Sequence, residues 1–216
     1  MKAKTMLLSA SLDLDEAKSY LSNTELVSIY KTKNTGLIKQ KIYSYYTAKK
    51  LLGKKTKNSS ISYSKTGRPI FTNEKYDLSI SHKHDRVYVG IVDEDYRIGV
   101  DIEHCNAKLN ESRFIKYFLT DEECIAIENF CAKNEISVSR ALVIFLSIKE
   151  SFFKCVDCDF KPKSLSIVNI LKQGSVKIKC SKNLKNIMEK RKLKIHYIKV
   201  KYDKKYVHSI TIMKKK

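Results

Sequence analysis

The same order of secondary-structure signals occurs twice along the chain. In each half, a long segment with apolar residues at helical spacing is followed by short β-rich segments that turn residues separate. The first long helix is predicted at Thr35–Leu52, where Gly53 provides a stop, and the second at about Val138–Cys155. This repeated order predicts an α+β fold made of two similar lobes.

Breakers and β-rich composition define the remaining elements of the first half. A first strand is expected at Thr5–Leu12, and Asp13–Tyr30 has a loosely helical pattern. A polar loop at Lys54–Ser60 follows the long helix, and the Gly67-Arg68-Pro69 turn is expected to have a strand on either side. Three further strands are predicted as an antiparallel set: Leu78–Ser81, Val87–Val92 and Ile98–Glu103.

The second half begins with helices and ends with strands. Besides the long helix, helices are predicted at Arg113–Phe118 and Asp121–Phe130. Strands are predicted at Leu165–Ile170, Val176–Lys179, Ile195–Tyr202 and Tyr206–Met213. The two lobes are therefore assigned to residues 1–99 and 100–216, with the boundary near the strand at Ile98–Glu103.

The chain is strongly basic. Its 216 residues include 43 lysines and arginines against 23 acidic residues, which gives a net charge of +20. Such an excess favours a negatively charged partner: nucleic acid, a phosphate-rich cofactor or an acidic protein. A lysine-rich composition spread over solvated faces is the alternative. The apolar share of 43% excludes a disordered chain, because disordered chains carry few Ile, Leu, Val and aromatic residues.

Cysteines and apolar runs indicate an intracellular protein. Cys155 and Cys158 form a single C-x-x-C, and no second pair completes a zinc site, so the six cysteines are expected to be reduced thiols. The longest apolar run, Ala141–Ile148, is far too short to span a bilayer. The apolar stretch near the N-terminus is also short, and acidic residues follow it directly. The expected location is cytoplasmic.

The segment Gly99–Glu103, GVDIE, places two carboxylates on one face of a predicted strand. Side chains alternate along a strand, so Asp101 and Glu103 point the same way. Two like charges roughly 4 Å apart repel by about 4 kcal/mol near a protein surface, and in a cleft a cation must offset that cost. Magnesium suits two carboxylates together with phosphate oxygens. An ordinary half-exposed strand with its polar face in water is the alternative.

The segment Phe145–Cys155, FLSIKESFFKC, combines an apolar helix with charged residues. Glu150 and Lys154 are four residues apart and share a helix face, while Leu142, Phe145 and Phe152 help to cover the rest. A surface ion pair is one interpretation. The amount of apolar surface beside Lys149, Glu150 and Lys154 favours a position against a packed wall.

Several residues upstream are suited to phosphate. Ser81 and His82 end a short strand, LSISH, and can donate hydrogen bonds. Arg68 can bind a phosphate with two donors, and Lys39 and Lys41 on the first long helix can add point charges. A lone histidine is usually structural, so each of these signals is weak by itself.

The order of these motifs is specific. GRP, then SISH, then GVDIE, then a helical KESFFK resembles the 4′-phosphopantetheinyl transferases, in particular the larger monomeric type that serves siderophore, peptide and polyketide synthetases as well as fatty-acid carrier proteins. The motifs span about residues 35 to 155. The resemblance implies a pseudo-twofold pair of α+β lobes with coenzyme A in the cleft between them.

The resemblance also implies roles for individual residues. The metal ligands would be Asp101, Glu103 and Glu150, binding Mg²⁺ that also grips the coenzyme pyrophosphate. The coenzyme contacts would be Arg68, Ser81, His82, Lys149 and Lys154, with Lys39 or Lys41 near the 3′-phosphate. Arg68 stands where a lysine is more usual. Glu122 in FLTDEE matches an acidic position near the metal in relatives.

The implied reaction is phosphoryl transfer. A serine hydroxyl of an apo carrier protein would attack the β-phosphate of coenzyme A, the substrate, and expel adenosine 3′,5′-bisphosphate. Glu150 would accept the serine proton directly or through water, and Lys154 is the second expected catalytic residue. The expected partner is an acidic apo carrier protein, attracted by the basic enzyme, with no nucleic acid and no membrane involved. A monomer is expected.

Two other functions fit part of these observations. A metal-dependent nuclease would use acidic residues and a lysine on a phosphodiester backbone, and a basic nucleic-acid-binding module would not need Asp101. A nuclease gives no role to GRP and SISH, and the aromatic platform or recognition helix expected of a nucleic-acid-binding module is not evident. Two departures from the family pattern are Leu146, where an aromatic residue is usual, and the absence of tryptophan.

Overall fold

Among its described residues, the first half of the chain forms one long helix, two short helices and five strands. The computed structural model describes residues 1–9, 13–53, 59–107 and 109–216. Its first elements are β1 (Ala3–Ser9), α1 (Leu14–Ser19), α2 (Asn23–Tyr30), α3 (Thr35–Leu52), β2 (Ile61–Tyr63), β3 (Pro69–Phe71), β4 (Tyr76–Lys83) and β5 (Arg86–Asp93). Residues 10–12 of the predicted first strand and residues 54–58 of the predicted loop lie outside the described residues.

The second half follows a closely similar order. Its elements are β6 (Tyr96–His104), α4 (Glu111–Phe118), α5 (Asp121–Asn134), α6 (Val138–Val156), a 3₁₀ turn (Pro162–Ser164), β7 (Leu165–Ile170), β8 (Val176–Cys180), α7 (Lys182–Lys190), β9 (Leu193–Tyr202) and β10 (Tyr206–Lys215). The predicted helices and strands of this half are confirmed. Helix α7 was not predicted; Ser181 caps it, and only Leu184 and Met188 are buried in it.

Within the described ranges, each half forms one three-stranded antiparallel sheet and one two-stranded hairpin. The sheets have the orders β1-β5-β4 and β6-β10-β9, and the hairpins are β2-β3 and β7-β8. In both sheets the last strand lies in the middle. The mixed helix and sheet content confirms the predicted α+β class, and the two sheets share one strand order.

The predicted antiparallel set of three central strands is wrong in one respect. β4 pairs with β5, but β6 pairs with β10 rather than with either of them. Polar side chains of β4 bind the backbone of β6 instead: Asp77 accepts a hydrogen bond from the Ile98 amide at 2.8 Å, and Ser79 accepts one from the Val100 amide at 3.0 Å. Side chains therefore join the two sheets along this edge.

The sheets lie between the two long helices. α3 packs on β5 and β1, and α6 packs on β6 and β10. The faces turned away from these helices contact each other through a buried cluster that includes Tyr88, Val92, Ile98, Val100 and Ile102. The predicted lobe boundary at 99/100 lies inside β6, and the chain passes from one sheet to the other at the turn before Tyr96.

A buried ion pair fixes the long helix of each half. In the first half, Lys49 of α3 lies 2.5 Å from Glu25 of α2, and neither side chain is more than 2% exposed. Glu25 also closes a capping box with Ser22, and its second oxygen accepts a hydrogen bond from the Ile61 amide. One carboxylate thus joins two helices and the following hairpin.

The second half repeats this arrangement. Lys149 of α6 lies 2.8 Å from Glu123 of α5, and both side chains are fully buried. Glu123 closes a capping box with Thr120, and its second oxygen accepts a hydrogen bond from the Ile167 amide at 3.0 Å. Partners of this kind offset the high cost of burying two charges.

The six cysteines are free, as the sequence predicts, and Cys155 of the C-x-x-C is buried in α6. Among the residues that the structure describes, none of the helices combines the length and the apolar character needed to cross a bilayer.

Gly99 is required for the contact between β6 and α6. A β-carbon built at this position would lie 1.9 Å from the Ser151 carbonyl oxygen and 2.6 Å from the Cys155 amide nitrogen. Because both atoms belong to the helix backbone, a side chain would force the helix off the strand. We expect Gly99→Ala to lower the free energy of unfolding by about 3 kcal/mol or more, measured by chemical denaturation.

Gly36→Ala is the matched control. Gly36 lies in the first turn of α3, where the nearest atom to a built β-carbon is the Asn34 side-chain oxygen at 3.2 Å. This substitution should change stability by about 1 kcal/mol or less. Equal stabilities of Gly99→Ala and the unmodified protein would contradict the proposed close packing.

Candidate functional site

The candidate site lies where β6 faces α6 and the end of β4. Gly99, Asp101 and Glu103 alternate with the apolar residues of β6 and share one face of the strand, as the sequence predicts; in the structure this face is turned toward α6. The close approach at Gly99 brings the last turns of α6 over the two carboxylates. Glu150 and Lys154, both on α6, therefore lie next to them.

Asp101 is the most buried carboxylate of the site, with 2% of its surface exposed. Its Oδ1 accepts hydrogen bonds from Lys154 Nζ at 2.7 Å and from Ser81 Oγ at 3.0 Å. Its Oδ2 is buried and has no hydrogen-bond partner in the part of the chain that the structure describes. A buried charged oxygen without a partner is costly, so this atom is a candidate ligand for a cation.

Glu103 faces Lys83 at the end of β4. Its Oε2 lies 2.6 Å from Lys83 Nζ, yet this buried oxygen makes no hydrogen bond with any described residue. Sequence reasoning missed Lys83. The signal was present, because Asp77, Ser79, Ser81 and Lys83 occupy alternate positions of one strand, and all four contact β6.

Glu150 is partly buried on α6. Burial raises its pKa above the ordinary value, the positive charge of Lys154 opposes this shift, and the negative charges of Asp101 and Glu103 add to it. The three predicted acids therefore share one electrostatic environment. A carboxylate whose pKa is raised in this way is a stronger base than an exposed one.

Lys154 connects the strands to the helix. Its ammonium group bonds Asp101 and also donates to Ser81 Oγ at 3.1 Å, and 32% of its side chain remains exposed. The predicted residues Ser81, Asp101 and Lys154 are thus brought together directly. His82, the next residue of β4, is exposed. Partial desolvation of its ring by neighbouring protein atoms and the nearby positive charge of Lys154 lower its pKa.

Arg68 is held by protein groups. Its guanidinium bonds the Asp77 carboxylate, the Lys154 carbonyl and, at 2.7 Å, the Ile98 carbonyl. Only its Nε lacks a hydrogen bond among the described residues. Arg68, only 7% exposed, therefore ties the Gly67-Arg68-Pro69 turn to β4, β6 and α6, and it helps to position Lys154.

The structure corrects the prediction that Lys149 contacts the coenzyme. Its ammonium group is fully buried, and besides Glu123 it donates to the carbonyls of Phe118, Pro162 and Leu165 at 2.6 to 2.9 Å. Burial lowers the pKa of Lys149, while Glu123 opposes the shift. Because its donors are occupied inside the core, Lys149 anchors α6 and does not reach a ligand.

The remaining predicted residues lie at the periphery. Lys39 is exposed on α3, and Lys41 donates to Thr32 at 3.0 Å. No contact among the described residues joins either lysine to Ser81, Asp101 or Lys154. Glu122 is exposed and pairs with Lys179 at 2.6 Å, whereas its neighbour Glu123 is the buried partner of Lys149.

A cavity of about 380 Å³ opens beside this cluster. Gly67, Arg68, Ser79, Phe153 and Lys154 are among its lining residues. The cavity therefore combines an apolar wall with the free side of a lysine that already binds Asp101. This combination suits a ligand that carries phosphate groups and an apolar portion.

The donor chemistry fits magnesium, although a complete coordination sphere is not preformed. Asp101 Oδ2 has no partner among the described residues, and Glu103 Oε2 is held only by its ion pair with Lys83; both are carboxylate oxygens, the hard donors that this ion prefers. Within the described ranges, no three His, Cys, Asp or Glu side chains come together in a group that could hold a metal ion. Joint ligation by Asp101, Glu103 and Glu150 stays a prediction.

The sequence match covers this site. Residues 97–211, more than half of the chain, match the family model described as the 4′-phosphopantetheinyl transferase superfamily. The chain belongs to this superfamily. The matched segment begins at β6 and includes Asp101, Glu103, Glu150 and Lys154. Membership makes the protein a transferase of the phosphopantetheinyl class and leaves no support for the nuclease and nucleic-acid-binding alternatives.

Solved structures of holo-acyl-carrier-protein synthases resemble part of the fold. The enzyme from Plasmodium yoelii is 20% identical, with a TM-score of 0.43, and the match covers 54% of this chain and 92% of that chain. The acyl carrier protein synthase of Mycobacterium tuberculosis is 12% identical, with a TM-score of 0.38, and the match covers 56% and 97%. A search of curated protein sequences gave no match.

The raised pKa of Glu150 makes a prediction about stability. When the pKa of a carboxyl is higher in the folded protein than in the unfolded chain, the group contributes most to the free energy of unfolding below its unfolded pKa. This stabilising contribution is lost as pH rises through the folded pKa. Glu150→Gln avoids this loss of stability, because the glutamine side chain stays uncharged at every pH. At about pH 7.5 the variant should therefore unfold at a higher urea concentration than the unmodified protein, and the difference should shrink toward about pH 4.

Glu128→Gln is the matched control, because Glu128 is exposed on α5. Its effect should be small at both pH values. If Glu150→Gln were destabilising at about pH 7.5, the unfavourable environment assigned to the Glu150 carboxylate would be wrong.

Proposed function

We propose that the protein transfers the 4′-phosphopantetheine arm of coenzyme A to a serine of an apo carrier protein, with Mg²⁺ as cofactor. The observation that carries this proposal is the Asp101 environment. Asp101 is a buried carboxylate, one oxygen of which has no partner among the described residues, and the carboxylate of Glu103 lies beside it. Both residues lie within the family match, and Lys154, which bonds Asp101, lines the cavity.

The residues of the site divide the work of phosphoryl transfer. Lys154 would bind a coenzyme phosphate from the rim of the cavity, and Ser81 and His82 would add hydrogen-bond donors from β4. Asp101 and Glu103 would hold magnesium with Glu150 nearby. When bound, the ion would neutralise charge on the pyrophosphate. Lys83 and Lys154 now neutralise the two acids, and each would shift toward phosphate as the coenzyme arrives.

Glu150 is proposed as the general base. Its raised pKa makes it a stronger base than an exposed glutamate, and its position on α6 near Asp101, Glu103 and Lys154 supports this role. The hydroxyl oxygen of the carrier serine forms a bond to the β-phosphorus, the bond to the bridging oxygen breaks, and adenosine 3′,5′-bisphosphate leaves. Glu150 takes the serine proton, directly or through water.

The finer family features are also part of this proposal. The shared strand orders and the repeated pairs Glu25–Lys49 and Glu123–Lys149 support a pseudo-twofold arrangement of two lobes, with the coenzyme in the cleft between them. That arrangement is the larger, monomeric type. The net charge of +20 supports an acidic carrier protein as the partner. A cytoplasmic location goes with these partners.

The deciding experiment is intact-mass measurement of apo carrier proteins after incubation with coenzyme A, Mg²⁺ and the protein. The unmodified protein should add a phosphopantetheine arm. Asp101→Asn and Glu150→Gln should each reduce the rate about 100-fold or more, because they remove a charge that acts on the transferred phosphate. Loss of transfer on removal of the ion by a chelator is also expected.

Asp95→Asn and Glu128→Gln are the matched controls, since both residues are exposed and outside the site. They should retain nearly full rates. Failure of the unmodified protein to modify several acyl and peptidyl carriers would overturn the proposed reaction. Full activity of Asp101→Asn or Glu150→Gln would overturn the assigned roles.

A further inference from the structure

A second and larger cavity lies on the other side of the molecule, between the two sheets. It has a volume of about 550 Å³, and it opens between the edge strands β1 and β9. Its polar lining comes from Thr5, Tyr88, Ser175, Tyr197, Lys199, Lys201 and His208. None of its lining residues belongs to the cavity beside Lys154. It is therefore a separate site, one to which the proposed transfer reaction assigns no role.

Strand alternation explains why polar groups reach this space. Ile198 and Val200 of β9 point into the core under α6, so Lys199 and Lys201 point the other way, toward β1. The antiparallel register places Lys201 opposite His208 and Lys199 opposite Ile210. The lysines thus lie on the face of this sheet that is turned toward the other sheet, and the same face is apolar at Ile212 and Ile98.

The lining of the cavity is positively charged. Among the described residues, it contains two lysines and a histidine and no carboxylate. In the described part of the chain, neither Lys199 nor Lys201 has an acidic group within 4 Å. Two residues apart on one strand, their ammonium groups repel each other, and an anion between them would remove this repulsion.

His208 offers an unused donor or acceptor. Its Nε2 is buried and has no hydrogen-bond partner among the described residues. Its ring lies 5.8 Å from the ring of Tyr88, measured between centroids, so an aromatic surface continues across the two sheets below the lysines. A buried nitrogen without a partner costs free energy unless a ligand supplies the missing bond.

We infer that this cavity binds a small organic anion, a phosphate monoester that carries a ring or a short apolar chain. The two lysines and His208 would hold the phosphate, and Tyr88, Tyr197, Leu7 and Ile210 would contact the apolar part. The volume is within the range of small-molecule sites. A doubly charged phosphate matches two ammonium groups better than a carboxylate does.

Phenyl phosphate is the probe for this site. Its binding to the full chain can be measured by calorimetry and by the NMR signals of the His208 imidazole, which lies in the cavity. We expect saturable binding with a shift of the His208 signals. Lys199→Gln/Lys201→Gln should weaken binding about 100-fold or more, because each of the two lost charged hydrogen bonds corresponds to a factor of about ten.

Lys177→Gln/Lys190→Gln is the matched control. It removes the same charge from two exposed lysines outside the cavity, and it should change the affinity less than about twofold. Phenol and benzoate should bind more weakly than phenyl phosphate. The single variant Lys201→Gln, at an exposed position, gives an intermediate loss and covers the case in which the double variant is unstable.

Three results would overturn the inference. One is the absence of any His208 shift with phenyl phosphate. Another is equal affinity in the unmodified protein and in folded Lys199→Gln/Lys201→Gln or Lys201→Gln. The third is that coenzyme A displaces phenyl phosphate completely from the unmodified protein but does not displace it from Lys154→Gln. This result would place the probe in the cavity beside Lys154.

Discussion

The contact between α6 and β6 is the constraint on which the candidate site depends. Because Gly99 has no side chain, the backbone of the helix lies directly against the strand, and Asp101 follows two residues later on the same face. At that distance Lys154 bonds Asp101, and the negative charges of Asp101 and Glu103 add to the rise in the pKa of Glu150. A wider spacing would leave the buried Asp101 carboxylate without the Lys154 ammonium group that neutralises it. The close packing of α6 on β6 therefore also sets the electrostatics of the site.

The buried ion pairs hold the helices in the positions that the site requires. Lys149 precedes Glu150, so the anchoring of Lys149 by Glu123 and three carbonyls fixes the rotation of α6 about its axis. Glu25 and Lys49 hold α3 in the same manner. Buried pairs seldom add much stability, but breaking one leaves a bare charge and costs several kcal/mol. We interpret these pairs as devices that select one orientation for each long helix.

The sequence predicts the local elements well, because helical spacing, strand alternation and turn residues act over a few positions. It predicts the long helices and the shared face of Asp101 and Glu103 for that reason. It does not predict that β6 pairs with β10, which lies about a hundred residues away, or that side chains of β4 replace a backbone ladder. Lys149 and Lys154 look alike in the sequence. Only tertiary packing buries the first and leaves the second at a cavity.

The central claim is that the carboxylates beside α6 form one cation site completed by coenzyme phosphate. Electron paramagnetic resonance of Mn²⁺ with the full chain and coenzyme A tests it most directly, since manganese accepts the oxygen ligands that magnesium uses. The account predicts one tight Mn²⁺ site that depends on coenzyme A and is lost in Asp101→Asn, while Asp95→Asn retains it. Equal Mn²⁺ binding by Asp101→Asn and the unmodified protein would contradict it.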